Sequence, residues 1–125
     1  MPKKVSVTKF YTFEAAHQLV NHEGKCKNEH GHSYKLEVTV TGTPKQADGS
    51  PDEGMIIDFD EMSKIVKKVI DPFDHHNINK AVDYPTTVEN IANDIFDRLY
   101  KTDLPVSKVR LWETATGSAT VEYVE

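Results

Sequence analysis

His30-Gly31-His32-Ser33-Tyr34-Lys35-Leu36-Glu37-Val38-Thr39-Val40-Thr41 alternates with period two along its whole length. His32, Tyr34, Leu36, Val38 and Val40 take one face, and Ser33, Lys35, Glu37, Thr39 and Thr41 take the other. That pattern predicts a strand with one buried and one polar face. His30 shares the parity of His32, so both imidazoles project from the same side, about 6–7 Å apart along the strand. Gly31 between them removes bulk and permits a bend. Such a pair offers two ligands to a metal. A third histidine from a neighbouring strand would complete a three-ligand zinc site with its fourth position open. Imidazoles without a cysteine cluster suit zinc better than an iron–sulfur centre, and other transition metals also fit.

Working upstream, residues 5–14 read as a second strand: Val5, Val7, Tyr11 and Phe13 alternate with smaller or polar residues. Ala15 and His17 continue that parity, so His17 is expected on the face of Phe13. Taken alone it reads as a hydrogen-bonded histidine at a strand end; the His30/His32 pair shifts that balance toward a ligand. Residues 18–29 have loop composition, and His22 reads as a surface residue. Cys26 closes the loop between Lys25 and Lys27. A lone cysteine is ordinarily a small buried apolar residue. Its polar company argues otherwise, and cationic neighbours favour the reactive thiolate.

Downstream, residues 42–54 are rich in turn formers and predict a mobile hairpin connection, with Met55-Ile56-Ile57 as the returning strand. Asp58 and Glu61 form a capping-box pattern ahead of a helix over 59–70, with Phe59, Met62, Val66, Val69 and Ile70 on its apolar stripe. Pro72 ends it. Asp74-His75-His76-Asn77 follows in a loop. A carboxylate beside an imidazole there can make an oriented acid–base pair, and local Asx turns are an equally good reading. Thr86 with Glu89 predicts a second capping box and a helix to about residue 101. Val109, Leu111 and Glu113 then share a strand face, and Val121 and Tyr123 mark a last strand. On spacing alone Glu113 is a rim residue; otherwise it meets a donor-rich ligand. The elements add up to an α+β domain, an antiparallel sheet backed by two helices.

The chain has 125 residues, is 38% hydrophobic and carries a net charge of −5. One domain over 1–125 is expected. The acidic balance argues against nucleic acid or an anionic membrane as the main partner, and no apolar run approaches the roughly 20 residues that span a bilayer. The start, Met1-Pro2-Lys3-Lys4-Val5, lacks the apolar core of a signal peptide. One cysteine excludes an intrachain disulfide, so a cytoplasmic location is expected.

Cys26-x3-His30-Gly31-His32 preceded by Phe13-Glu14-Ala15-Ala16-His17 resembles the 6-pyruvoyltetrahydropterin synthase / 6-carboxytetrahydropterin synthase family. The resemblance continues through Gly54-Met55-Ile56-Ile57-Asp58-Phe59, Asp74-His75-x-x-Ile78-Asn79, Pro85-Thr86 with Glu89-Asn90, and Trp112-Glu113-Thr114. Ile78 stands where leucine is usual, and the Pro-Thr to Glu-Asn spacing is one residue longer than the commonest form. The resemblance implies the tunnelling fold, a four-stranded antiparallel sheet with two helices on one side. Three subunits would close a barrel and two trimers would stack as a homohexamer, with active sites between subunits. It implies zinc on His17, His30 and His32, Cys26 as proton-abstracting base, Asp74 with His75 as the partner acid–base pair, and Glu113 as anchor of the pterin ring. The implied substrate is 7,8-dihydroneopterin triphosphate, with Lys25 or Lys27 available to its phosphates.

Three residues between Cys26 and His30 resemble the bacterial 6-carboxytetrahydropterin synthases of queuosine biosynthesis, carbon–carbon lyases that release acetaldehyde and triphosphate. The alternatives are a 6-pyruvoyltetrahydropterin synthase or a folate-pathway relative that yields 6-hydroxymethyl-dihydropterin. Glu29 bears on the latter, because those relatives use a glutamate near this loop; on strand parity it points away. Two further classes compete: a zinc hydrolase, which needs no thiol, and a non-catalytic pterin- or metal-binding protein.

Overall fold

The computed structural model describes residues 2–124; Met1 and Glu125, at the two ends of the expected domain, lie outside the described residues. The alternating stretches form the two longest strands, β1 (Val5–His17) and β2 (His30–Gly42). They pair antiparallel without interruption from Val5 opposite Gly42 to His17 opposite His30. Next come α1 (Phe59–Ile70), a two-residue β3 (His76–Asn77), the single turn α2 (Ile78–Ala81), α3 (Val88–Tyr100), β4 (Val106–Trp112) and β5 (Ser118–Glu122). The sheet order is β3-β1-β2-β4-β5. Every pairing is antiparallel except the short parallel one that sets His76 and Asn77 beside Ala15 and Ala16.

One face of the sheet is apolar, as the alternation demands. Phe13, Tyr34, Leu36, Val38, Val109 and Leu111 are buried there with Met62 and Val66 of α1 and Ile91, Ile95 and Leu99 of α3. Phe13 stacks on Tyr34 with centroids 5.0 Å apart. The outer face carries Glu14, Ser33, Lys35 and Arg110, all exposed.

The α+β class and the four principal antiparallel strands match expectation; several details do not. The sheet gains a fifth, parallel strand and the chain a third, short helix. Met55-Ile56-Ile57 forms no strand. The 45–54 loop closes on itself instead: Lys45 N–H donates to Met55 O (2.9 Å) and Gly54 N–H to Lys45 O (2.7 Å). Lys45 Nζ also sits 3.5 Å from Asp48 and 3.0 Å from Asp52. Ile56 and Ile57 pack at the margin of the core, which explains their apolar character without a strand. Asp58 does cap α1, accepting from Asp60 N–H, while Glu61 pairs with Lys64. Phe59 is 47% exposed, off the buried stripe. The cap of α3 is Thr87, which accepts from Asn90 N–H, and not Thr86.

Candidate metal centre and its surroundings

Strand register assembles the centre. His17 is the cross-strand partner of His30, and Ala15 is the partner of His32. Side chains two apart on one strand and directly opposite on the next share a face. The three rings therefore meet at one end of the buried face, with centroids 4.5 Å (His17–His30), 5.0 Å (His17–His32) and 4.8 Å (His30–His32) apart. One nitrogen from each lies within 4.8 Å of the other two, a spacing that could hold a metal ion.

The orientation of the rings is fixed from outside. His17 Nδ1 donates to Thr86 O at 2.8 Å, and His30 Nδ1 donates to Asn28 O at 2.7 Å. A carbonyl only accepts, so these bonds put hydrogen on Nδ1 and turn Nε2 into the site. Nε2 of all three histidines is buried without a hydrogen-bond partner. Three orphaned ring nitrogens converging on one point are costly unless something binds there. Burial holds the pKa of His17 and of His32 below the ordinary 6.5 against the opposing pull of Glu113, favouring the neutral ligand form. The donor set fits zinc: three imidazole nitrogens, with the outer nitrogens of His17 and His30 held by carbonyls.

Glu113 lies just past the end of β4, where its N–H donates to Gly117 O. Its carboxylate oxygens stand 3.9 Å from Nε2 of His17 and 3.9 Å from Nε2 of His32. A carboxylate thus faces the open side of the histidine cluster. Cys26 is half-buried in a single 3-10 turn, Lys25–Lys27, and its carbonyl accepts from Leu19 N–H.

Asp74 and His75 are elsewhere. His75 Nδ1 is 2.9 Å from Asp74 Oδ1, and the same oxygen accepts from Glu14 N–H at 3.0 Å. That backbone bond, aided by His75 and His76, pulls the Asp74 carboxyl below its usual range. His75 is held at φ 60° by its own N–H bond to Glu14 O, a left-handed conformation costly for a residue with a Cβ. Its ring is exposed and lines a groove with Glu14, Glu29, Ser33 and Asn77, residues of the outer face and edge. The Asp74–His75 contact thus forms at the outer edge of β1, and the groove it lines also reaches His32 of the cluster. Glu29 accepts from Asn77 Nδ2 at 2.9 Å on the outer side, as strand parity implies.

Two residues at the centre escape sequence reasoning. Thr86, read as a cap, is fully buried and its carbonyl orients His17. Only one member of the Thr86-Thr87 pair can cap a helix, which is the signal that could have freed the other. Asn79 holds the backbone beside His17; a lone polar residue in a loop motif gives no such signal.

The sequence pattern of the 6-pyruvoyl tetrahydropterin synthase family matches residues 6–123. This chain belongs to that family. It is 38% identical over 134 aligned residues to a 6-carboxy-5,6,7,8-tetrahydropterin synthase of Haemophilus influenzae, covering 89% of this chain and 94% of that one. It is also 38% identical over 105 residues to a dihydroneopterin monophosphate aldolase of Pyrococcus furiosus, covering 82% and 83% of the two chains. Among solved structures, the 6-pyruvoyl tetrahydropterin synthase of Caenorhabditis elegans superposes with a TM-score of 0.83 at 28% identity, over 98% of this chain and 97% of that one. The fold is therefore the family's tunnelling fold. No helix among the described residues is long and apolar enough to cross a membrane.

Proposed function

We propose that this protein is a zinc-dependent 6-carboxy-5,6,7,8-tetrahydropterin synthase. It converts 7,8-dihydroneopterin triphosphate and water to 6-carboxytetrahydropterin, acetaldehyde and triphosphate, in queuosine biosynthesis in the cytoplasm. The observation that carries this reading is the convergence of three buried, unpartnered Nε2 atoms beside a carboxylate, in a chain that also bears a thiol and an Asp–His pair. A zinc hydrolase needs only the first of these.

His17, His30 and His32 would hold zinc. Zinc bound there supplies Lewis acidity to the substrate's side-chain hydroxyl oxygens, making the neighbouring C–H bonds more acidic. Cys26, on the loop entering β2, would take such a proton. His75, backed by the Asp74 carboxylate, returns a proton elsewhere on the side chain. Glu113 would accept from the pterin ring N–H and amino group, and Lys25 or Lys27 would meet the phosphates.

In this reading the pair, exposed at the outer edge of β1, serves the site of a second copy. The free outer edges of β5 and of most of β1 supply the means to join copies. A hexamer of stacked trimers is the assembly proposed.

The aldolase relative supports a second reading, retro-aldol release of 6-hydroxymethyl-dihydropterin from a phosphorylated dihydroneopterin. The two separate in one experiment. Zinc-loaded protein is incubated with 7,8-dihydroneopterin triphosphate or monophosphate, and products are identified by mass. 6-Carboxytetrahydropterin with acetaldehyde from the triphosphate is expected. 6-Hydroxymethyl-dihydropterin would favour the aldolase, and no turnover by an intact, zinc-bound assembly would leave a binding protein.

A further inference from the structure

The pairing of β1 with β3 stops at Ala16 and Asn77, one residue short of the metal-ligand candidate His17. Beyond it the chain is held by a side chain. Asn79 Oδ1 accepts from Gln18 N–H at 2.8 Å, and Asn79 Nδ2 donates to Gln18 O at 3.0 Å. One amide thus satisfies both backbone groups of the residue after His17, as a paired strand residue would. Asn79 is itself fixed, its own N–H donating to Asn77 Oδ1 at 3.0 Å.

The same amide reaches the other support of His17. Thr86 Oγ1 donates to Asn79 Oδ1 at 3.2 Å and lies 3.3 Å from His17 Nδ1, while Thr86 O is the acceptor of that Nδ1 hydrogen. The backbone behind the His17 ring and the carbonyl that sets its tautomer therefore converge on one side chain. Thr86 is completely buried, so its hydroxyl has no access to bulk water as a substitute partner.

We propose that Asn79 is a positioning residue of the metal centre, clamping Gln18 and Thr86 so that Nε2 of His17 stays aimed at the ion. This rests on the metal reading given above. Asn79 contacts neither the three Nε2 atoms nor a reacting group, so its effect is on metal affinity and ligand geometry. Outer partners of this kind typically change affinity 10–100-fold when removed.

The test measures zinc affinity by chelator competition, and the visible absorption of the cobalt-substituted protein, for Asn79→Ala, Thr86→Val and Thr86→Ser. Melting temperatures of the metal-free proteins are recorded alongside. Asn79→Ala and Thr86→Val are expected to weaken zinc binding by about 10–100-fold and to alter the cobalt spectrum. Thr86→Ser, which keeps the hydroxyl, should bind like the parent. Thr102→Val, which removes bonds to Leu99 O and from Leu104 N–H near the end of β2 opposite the histidines, should lower the melting temperature and leave affinity unchanged. Should Asn79→Ala fail to fold, Thr86→Val, close in shape to the parent residue, decides the matter. Lower melting temperatures with parental zinc affinity in both variants would overturn the proposal. A parent protein that binds no zinc would overturn the metal reading itself, and this inference with it.

Discussion

The histidine cluster and the Asp74–His75 pair are both built on β1, yet they are built differently. The cluster has its three Nε2 atoms buried, is made by strand register, and is gathered within one chain. The pair hangs on the outer edge of the same strand, with the His75 ring mostly exposed and the Asp74 carboxylate tied to the Glu14 backbone. Metal ligands gain from outer partners that fix their orientation. A proton donor to a bulky substrate can be supplied by another surface once the substrate is seated. On the proposed reading, the contrast separates what one chain would do alone, bind metal, from what would need an assembly, turnover.

Removing the cluster should have the largest effect. His32→Ala leaves two imidazoles, and both zinc content and activity should fall to background by metal analysis and product assay. Retention of stoichiometric zinc would show that the three rings are not the site. Next in size are Cys26→Ala and His75→Ala, each expected to lower kcat by about 10²–10⁴-fold while zinc content stays at the parent level. A loss of zinc in His75→Ala would break the separation between the two regions.

How far the sequence anticipates these regions depends on how local the cause is. Residues 30–41 and 5–17 declare their faces by alternation, and the cluster then follows from register because His17 falls opposite His30. Helix α1 is read to the residue, since its apolar stripe and the Asp58 cap are both contiguous in sequence. The two-residue β3 has no period to detect. It exists because Glu14 and Ala15 offer an edge to a chain sixty residues away. Met55-Ile56-Ile57 misleads because a three-residue apolar run fits a strand or a core-margin loop equally well. Thr86 is misassigned for a related reason: a cap is a local feature, whereas contact with His17 is not.

A smaller effect should appear with pH. Burial lowers the pKa of His17 and His32 in the folded protein below 6.5. Between the two values the unfolded chain binds more protons than the folded one, so stability rises with pH there. The metal-free protein should therefore lose stability as pH falls through about 6.5, and His17→Phe should flatten that slope in denaturant titrations. An unchanged slope would mean that the His17 imidazole is not held neutral by burial. The smallest effect belongs to Glu29→Gln. Its exposed carboxylate accepts from Asn77 Nδ2 on the outer side, so stability should move within about 0.5 kcal/mol, and the product, identified by mass, should be the same as the parent's.

The most direct test of the division between the two regions uses two inactive proteins. Cys26→Ala chains keep Asp74 and His75; His75→Ala chains keep Cys26 and the histidine cluster. The two are denatured together, refolded with zinc, and assayed for product against each protein refolded alone. If the acid–base pair crosses from one copy to another, mixed assemblies contain some complete sites, and activity should reappear in the mixture only. A mixture that assembles and binds zinc but stays as inactive as its parts would place the whole site within a single chain and contradict the division.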